Sequence, residues 1–161
     1  MKTIPLTQGK VAIVDDEDFD RLSQFKWCAV KNRLKWYALR AVIINDKQIS
    51  IWMHREILNV PSGKQTDHKD GNGLNNQRRN LRICSRSQNM ANARKYSGTR
   101  ISNKYKGASW QKNDRNWQAH ICKNGKLIYL GHYNTEIEAA LVYDKHAREL
   151  FGEFAHTNFS A

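Results

Sequence analysis

Paired cysteines, zinc-type cysteine spacing and long apolar runs are all missing from this sequence, and each absence excludes something. The three cysteines, Cys28, Cys84 and Cys122, are odd in number and widely separated, which argues against a disulfide framework and suits a reducing cytosol. No Cys-x-x-Cys pair occurs, so the commonest structural zinc arrangement is absent. No apolar stretch is long enough to span a bilayer, and Met1 to Gly9 lack the apolar centre of a signal peptide. Acidic residues are scarcest between Arg78 and Lys126, where thirteen lysines and arginines meet the single acid Asp114. That tract carries the whole formal net charge of +12, and the rest of the chain sums to about zero. A solvated surface intersperses its signs, so the tract reads as a surface for a polyanion, with a merely soluble basic face as the alternative.

What is present points to two small modules. The chain has 161 residues, 40% of them hydrophobic, and its character changes near residue 95. Residues 10 to 14 read as a strand, and the acids Asp15 to Asp20, followed by Leu22 and Phe25, as a short helix whose start the acids cap. Trp27 to Val30, Trp36 to Val42 and Gln48 to Trp52 predict aromatic-rich strands; His54 to Leu58 predicts a helical turn closed by Pro61-Ser62-Gly63. Ser85-Arg86-Ser87-Gln88 has capping-box form and predicts a helix from about residue 86 that frays by Ser97-Gly98. A meander of three strands then begins near Gly107, with Asn124-Gly125 as a hairpin signal. Thr135-Glu136-Ile137-Glu138 opens an amphipathic helix that turns Ile137, Ala140, Leu141, Ala147, Leu150 and Phe151 to the sheet and closes at Gly152. The expected class is α+β.

Phosphodiester hydrolysis needs a base to activate water and a hard cation to neutralise the phosphate. The string Thr66-Asp67-His68-Lys69-Asp70-Gly71-Asn72 holds both kinds of group side by side. On a strand the side chains of Asp67 and His68 diverge, so a second oxygen ligand must come from elsewhere, and Asn89 in the following helix can supply it. One carboxylate, one amide oxygen, phosphate oxygens and water are adequate for magnesium, leaving His68 as a neutral base. An Asp-His pair alone is weak evidence; the pattern Asp67-His68, Asn75-Asn76, Asn80-Leu81-Arg82 and Ser87-Gln88-Asn89 is not.

Over residues 54 to 92 this pattern resembles the H-N-H endonucleases of ββα-metal fold, especially the intron-encoded homing enzymes of phages. The resemblance implies that His68 is the general base, that Asp67 and Asn89 bind one divalent ion, Mg2+ or Mn2+, and that Asn80 braces the long loop and orients His68 through a backbone contact. It also implies the cytoplasm of a bacterial or phage-infected cell and no organic cofactor. His54-Arg55 matches a His-Arg pair of that branch, with a structural role or a phosphate contact both open, while Asp70 reads better as a turn former than as a ligand.

Residues 103 to 159 resemble the plant ethylene-response-factor domain of Apetala type, through Tyr105-Lys106-Gly107, Trp117 to Ile121, Tyr129-Leu130-Gly131 and Asn158-Phe159. Such a domain lays its sheet in the major groove of double-stranded DNA. The residues so implied at DNA are Lys106, Ser109, Trp110, Lys112, Arg115, Gln118, His120 and Tyr129, joined from the basic tract by Arg78, Arg79, Arg82 and Arg86. The full expectation is a nuclease domain over 1–95, with a β-rich scaffold over 1–52 and the ββα-metal motif over 53–95, a linker over 96–103, and a three-stranded antiparallel sheet on one helix over 104–161, acting as a monomer or homodimer. A DNA-binding regulator with an inactive nuclease fold is the alternative. An RNA-binding protein is disfavoured, because the major groove of A-form RNA is closed to a sheet.

Overall fold

A computed structural model describes residues 1–32, 34–95 and 103–160. It is mixed α+β and divides into two compact units, Met1–Ser85 and Arg86–Ala161. The helix that starts at Arg86 therefore groups with the second unit; residues 96–102 of the expected linker, including Ser97-Gly98, lie outside the described residues. Among the described residues no helix is long and apolar enough to cross a membrane.

In the first unit β1 (Lys2–Pro5) pairs antiparallel with β2 (Val11–Val14), and α1 (Asp16–Leu22) follows. The strands β3 (Cys28–Asn32), β4 (Lys35–Ile44) and β5 (Lys47–Trp52) form an antiparallel meander in that order. Its second turn is Asn45-Asp46 with φ of 50 and 58°, the left-handed pair that matches strand twist. The helix α2 (Met53–Leu58) stops at Asn59, also left-handed with φ 47°. Then β6 (Gln65–His68) and β7 (Leu81–Cys84) make a two-stranded antiparallel ladder. Ile4, Val14, Leu22, Trp27, Met53 and Leu81 are buried together at the centre, each worth about 1.5–3 kcal/mol of removed apolar surface.

The acidic run does more than cap α1. Asp15 sits at the N-cap without a side-chain cap bond; its carboxylate instead accepts from the Arg78 backbone N–H at 2.7 Å and from Gln77 Nε2 at 3.0 Å. Asp18, 2% exposed, accepts from Arg78 and Arg21. Burial alone would raise the Asp18 pKa, but these two guanidinium groups outweigh it and hold the carboxyl low. The reading of these acids as capping alone is therefore corrected, because their partners lie some sixty residues away in sequence.

In the second unit α3 (Arg86–Asn92) precedes β8 (Ala108–Gln111), β9 (Asn116–Lys123) and β10 (Lys126–Tyr133), an antiparallel meander with β9 central. Asn124 and Gly125, with φ of 54 and 79°, make the expected tight hairpin. The helix α4 (Glu136–Phe151) packs on this sheet and opens with the predicted capping box of Thr135 and Glu138. Its buried stripe holds the predicted Ala140, Ala147 and Phe151 but differs from the prediction elsewhere. Ile137 and Leu141 are each 52% exposed, and Ala139, Ala140, Tyr143 and Ala147 face inward. Small alanines let the helix lie close on the strands, where branched side chains would hold it off. The same closeness requires Gly107, whose φ is +79° and where an added Cβ would run into the Tyr143 ring.

Candidate active site and nucleic-acid interface

The ladder β6–β7 sets the chemistry of the first unit. Its register places Asp67 opposite Arg82 and His68 opposite Leu81. Cross-strand partners share a face, so Arg82 meets Asp67 directly, with Nε and Nη2 at 2.8 and 2.7 Å from Oδ2. His68, one residue on, projects to the other face and is 6% exposed. Its ring lies 5.1 Å from that of His54 and 5.9 Å from that of Tyr37, both nearly edge-on. Its Nε2 is 3.4 Å from Asn76 Oδ1. Asn76 Nδ2 donates to Leu74 O at 3.3 Å, which aims the amide oxygen at the imidazole. An amide oxygen only accepts, so the network assigns the Nε2–H tautomer to His68 and makes Nδ1 its basic nitrogen. Burial lowers the His68 pKa, the Asn76 bond and the Asp70 and Asp67 charges oppose that, and Lys35 adds to it; the net direction is down. The imidazole is neutral at physiological pH and can take a proton.

The loop between β6 and β7 is built from amide and carboxylate side chains. Asp70 Oδ1 accepts from Asn72 N at 2.8 Å and Asn80 Nδ2 at 3.0 Å, and Oδ2 accepts from Asn75 Nδ2 at 2.8 Å. Asn80 also donates to Asn75 O at 2.8 Å and accepts from Asp70 N at 3.1 Å, while its backbone carbonyl accepts from Lys69 N. Burial tends to raise the Asp70 pKa, yet the Asn72, Asn75 and Asn80 bonds win and lower it. Strand β2 fastens the loop from outside: Ile13 N donates to Leu74 O at 2.8 Å and Asn76 N to Ile13 O at 2.7 Å. Gly73 passes so close to Trp36 O and the Tyr37 ring that no side chain fits there.

The second unit carries its own surface. Ala119 and Ile121 of β9 are buried toward α4, so Gln118, His120 and Cys122 take the open face. Register adds Ser109 beside Gln118 and Tyr129 beside His120. Gln111 Nε2 donates to Gln118 Oε1 at 3.0 Å. The His120 pKa is lowered by burial and then by the Lys95 charge, which leaves a neutral ring. Lys112 and Arg115 are exposed in the β8–β9 turn, and Arg86 is exposed on α3. In the first unit Arg79 is exposed with Nη2 3.4 Å from Gln77 Oε1.

Four side chains expected at DNA have other immediate partners. Arg78 bonds to Asp18 and Glu17, and Arg82 to Asp67. Lys106 Nζ donates to the carbonyls of Ala91 and Ala93, the latter at 2.7 Å, and burial draws its pKa down to about 8 against the pull of Asp144. Trp110 pairs in register with Trp117 and packs on it with ring centres 5.4 Å apart, on the α4 side of the sheet, where it is 42% exposed. Asn89 is half-buried on α3, a helix tied into the second unit by Lys106, by His156 N bonding to Ala91 O, and by Asn124 N donating to Ser87 Oγ at 3.0 Å.

Residues 59–91 match the family model of HNH endonucleases, and residues 103–153 that of the AP2 domain. Along 94% of the chain and 76% of the relative, it is 31% identical over 153 residues to an HNH endonuclease of Acanthamoeba polyphaga mimivirus. The chain belongs to the HNH endonuclease family. Protein 3.8 of Escherichia phage T7 is 31% identical over 111 residues, 68% of this chain and 87% of that one. An ethylene-responsive transcription factor of Arabidopsis thaliana is 30% identical over 115 residues, of which the chain spans only 25% of the plant protein. The chain thus joins a match to the AP2 domain, the Apetala-type module, behind its match to the HNH family.

Among the described residues of this HNH endonuclease no three His, Cys, Asp or Glu gather so as to hold a metal. Asp70 has both oxygens engaged in the loop. Cys84 stays a thiol, because burial and then Asp67 push its pKa up to about 11. Asp67, the carboxylate that the motif offers to a divalent ion, is held by Arg82 at Oδ2 and stands on the opposite face of the ladder from His68. Sequence reasoning missed Asn76 and Tyr37 as neighbours of His68. Asn76 stands in the Asn75-Asn76 pair of the motif, but its complete burial and its bond to His68 come from the fold.

Proposed function

We propose that this protein is a DNA endonuclease in which the second unit grips duplex DNA and the first supplies the hydrolytic base. The observation that carries it is the neutral, buried His68, its tautomer fixed by Asn76, next in sequence to the carboxylate of Asp67. In this reading His68 Nδ1 takes a proton from the water whose oxygen attacks phosphorus, and the bond from phosphorus to the departing sugar oxygen breaks. Asn80 keeps the base in place through the loop it braces. Asp67 and Asn89 are the residues that would hold one Mg2+ or Mn2+, Asn89 on the family resemblance alone. When bound, that ion neutralises the phosphate and stabilises the leaving oxygen.

For the grip, the open face bearing Ser109, Gln118, His120 and Tyr129 meets base edges, and the exposed cations Arg79, Arg86, Lys112 and Arg115 meet phosphates. On the family resemblance, the enzyme is of homing type and nicks as a monomer or cuts both strands as a dimer. The test is supercoiled plasmid incubated with Mg2+, with and without chelator. Relaxation that vanishes on chelation and in His68→Ala is expected. Tight binding without any cutting would leave a DNA-binding regulator.

A further inference from the structure

The end of the β3–β4 hairpin holds lysines that the proposed reaction leaves unused. The register pairs Lys31 with Trp36 and Asn32 with Lys35. Strand alternation therefore puts Lys31 on the Trp36 face and Lys35 on the opposite face, with Tyr37. Lys31 Nζ lies 5.9 Å and Lys10 Nζ 5.3 Å from the centre of the Trp36 ring. Lys35 Nζ stands beside the catalytic loop, 3.5 Å from where a side chain on Gly71 would begin, and its charge is felt at His68.

Elsewhere in this unit Arg21, Arg40, Arg78 and Arg82 each find a carboxylate. Among the described residues no carboxylate pairs with Lys10, Lys31 or Lys35. Lys26, Lys47, Arg55, Lys64, Lys69 and Arg79 likewise have no carboxylate partner among the described residues. What sets Lys10, Lys31 and Lys35 apart is that they gather around Trp36 and the loop that holds His68, and such a local group of cations suits an external anion. Two of them lie against the Trp36 ring, which orients their ammonium groups, and the ligand this suits is a phosphate chain.

We propose that this hairpin end is the nuclease unit's own grip on the DNA backbone, with Lys35 holding the phosphate chain beside His68 and Lys10 and Lys31 holding flanking phosphates. It rests on DNA being the substrate, and it gives the N-terminal strands a working role.

The test uses the full chain and duplex DNA across a NaCl series. Each lost phosphate contact lowers the slope of log affinity against log salt by about 0.9. Lys35→Gln should lower it by about one, the double variant Lys10→Gln/Lys31→Gln by about two, and Lys47→Gln, at the far turn of β4–β5, by nothing. Lys35→Gln should also slow cleavage at saturating DNA about tenfold or more, with Lys35→Arg restoring most of it, and melting should stay unchanged in all variants. Unaltered slopes in both glutamine variants overturn the proposal even where the wild type cuts. Lowered slopes in a wild-type background that never cuts support the grip and remove the endonuclease reading instead.

Discussion

Acidification from about pH 7.5 to about pH 5 puts a measurable load on His54. This ring is 9% exposed, its Nδ1 has no hydrogen-bond partner among the described residues, and its pKa is lowered from 6.5 to about 3, first by burial, then by His68 and Arg55. In the unfolded chain the same imidazole protonates near 6.5. Between those two values the unfolded state binds the extra proton, so stability rises with pH across that window and is lost as pH falls through it. At pH 5 the chain is about 1.5 units below the unfolded value, and each unit is worth about 1.4 kcal/mol, so His54 costs about 2 kcal/mol relative to neutral pH. The carboxyls that folding lowers, Asp16, Asp18 and Asp70, lose their contribution only below their ordinary value of 3.8, outside this range. Urea unfolding of wild type and His54→Phe at both pH values, followed by tryptophan fluorescence, isolates the effect. The phenyl ring keeps the contacts with Tyr37 and His68 and cannot titrate. Wild type should lose about 2 kcal/mol more than His54→Phe on acidification. Equal losses in the two proteins would refute the claim that a buried neutral imidazole sits against His68.

Three further outcomes follow from single contacts. Arg82→Met removes the guanidinium that holds the Asp67 carboxylate at 4% exposure, so the first unit should lose about 3 kcal/mol in urea, while a double change with Asp67→Leu recovers most of it. Gly107→Ala meets both a φ of +79° and the Tyr143 ring, and a loss of about 3 kcal/mol or more in the second unit is expected by thermal melting. Lys106→Met removes two bonds to the carbonyls of α3; hydrogen exchange should quicken about tenfold or more over Arg86–Asn92 and stay unchanged in β9.

Much of the fold was legible because its signals are local. Aromatic and β-branched runs located β3 to β5, Asn124-Gly125 fixed a hairpin, and Thr135 with Glu138 opened α4. The HNH string was legible as a motif, and residues 59–91 match the family model. What stayed hidden was pairing at a distance. Nothing near Asp15 in the chain announces Arg78, and nothing in Asn76 alone announces that β2 would press it beneath His68. Hydrophobicity also misled along α4, where size mattered more than apolar character and alanines took the inner stripe from Ile137 and Leu141. Lysine was misread for a similar reason: a long stem lets Lys106 fold inward and close a helix end, an outcome composition cannot distinguish from a phosphate contact.

The way α3 is fastened bears on how such a gene can be taken apart. A fragment ending near residue 95 would keep the motif's last letter, Asn89, yet leave behind the ammonium and the C-terminal residues that finish its helix. Swapping the plant-like module for another would therefore bring a foreign shelf to a native helix. The boundary between the compact units lies upstream, next to Ser85, so whatever Asn89 contributes is inherited together with the module behind it.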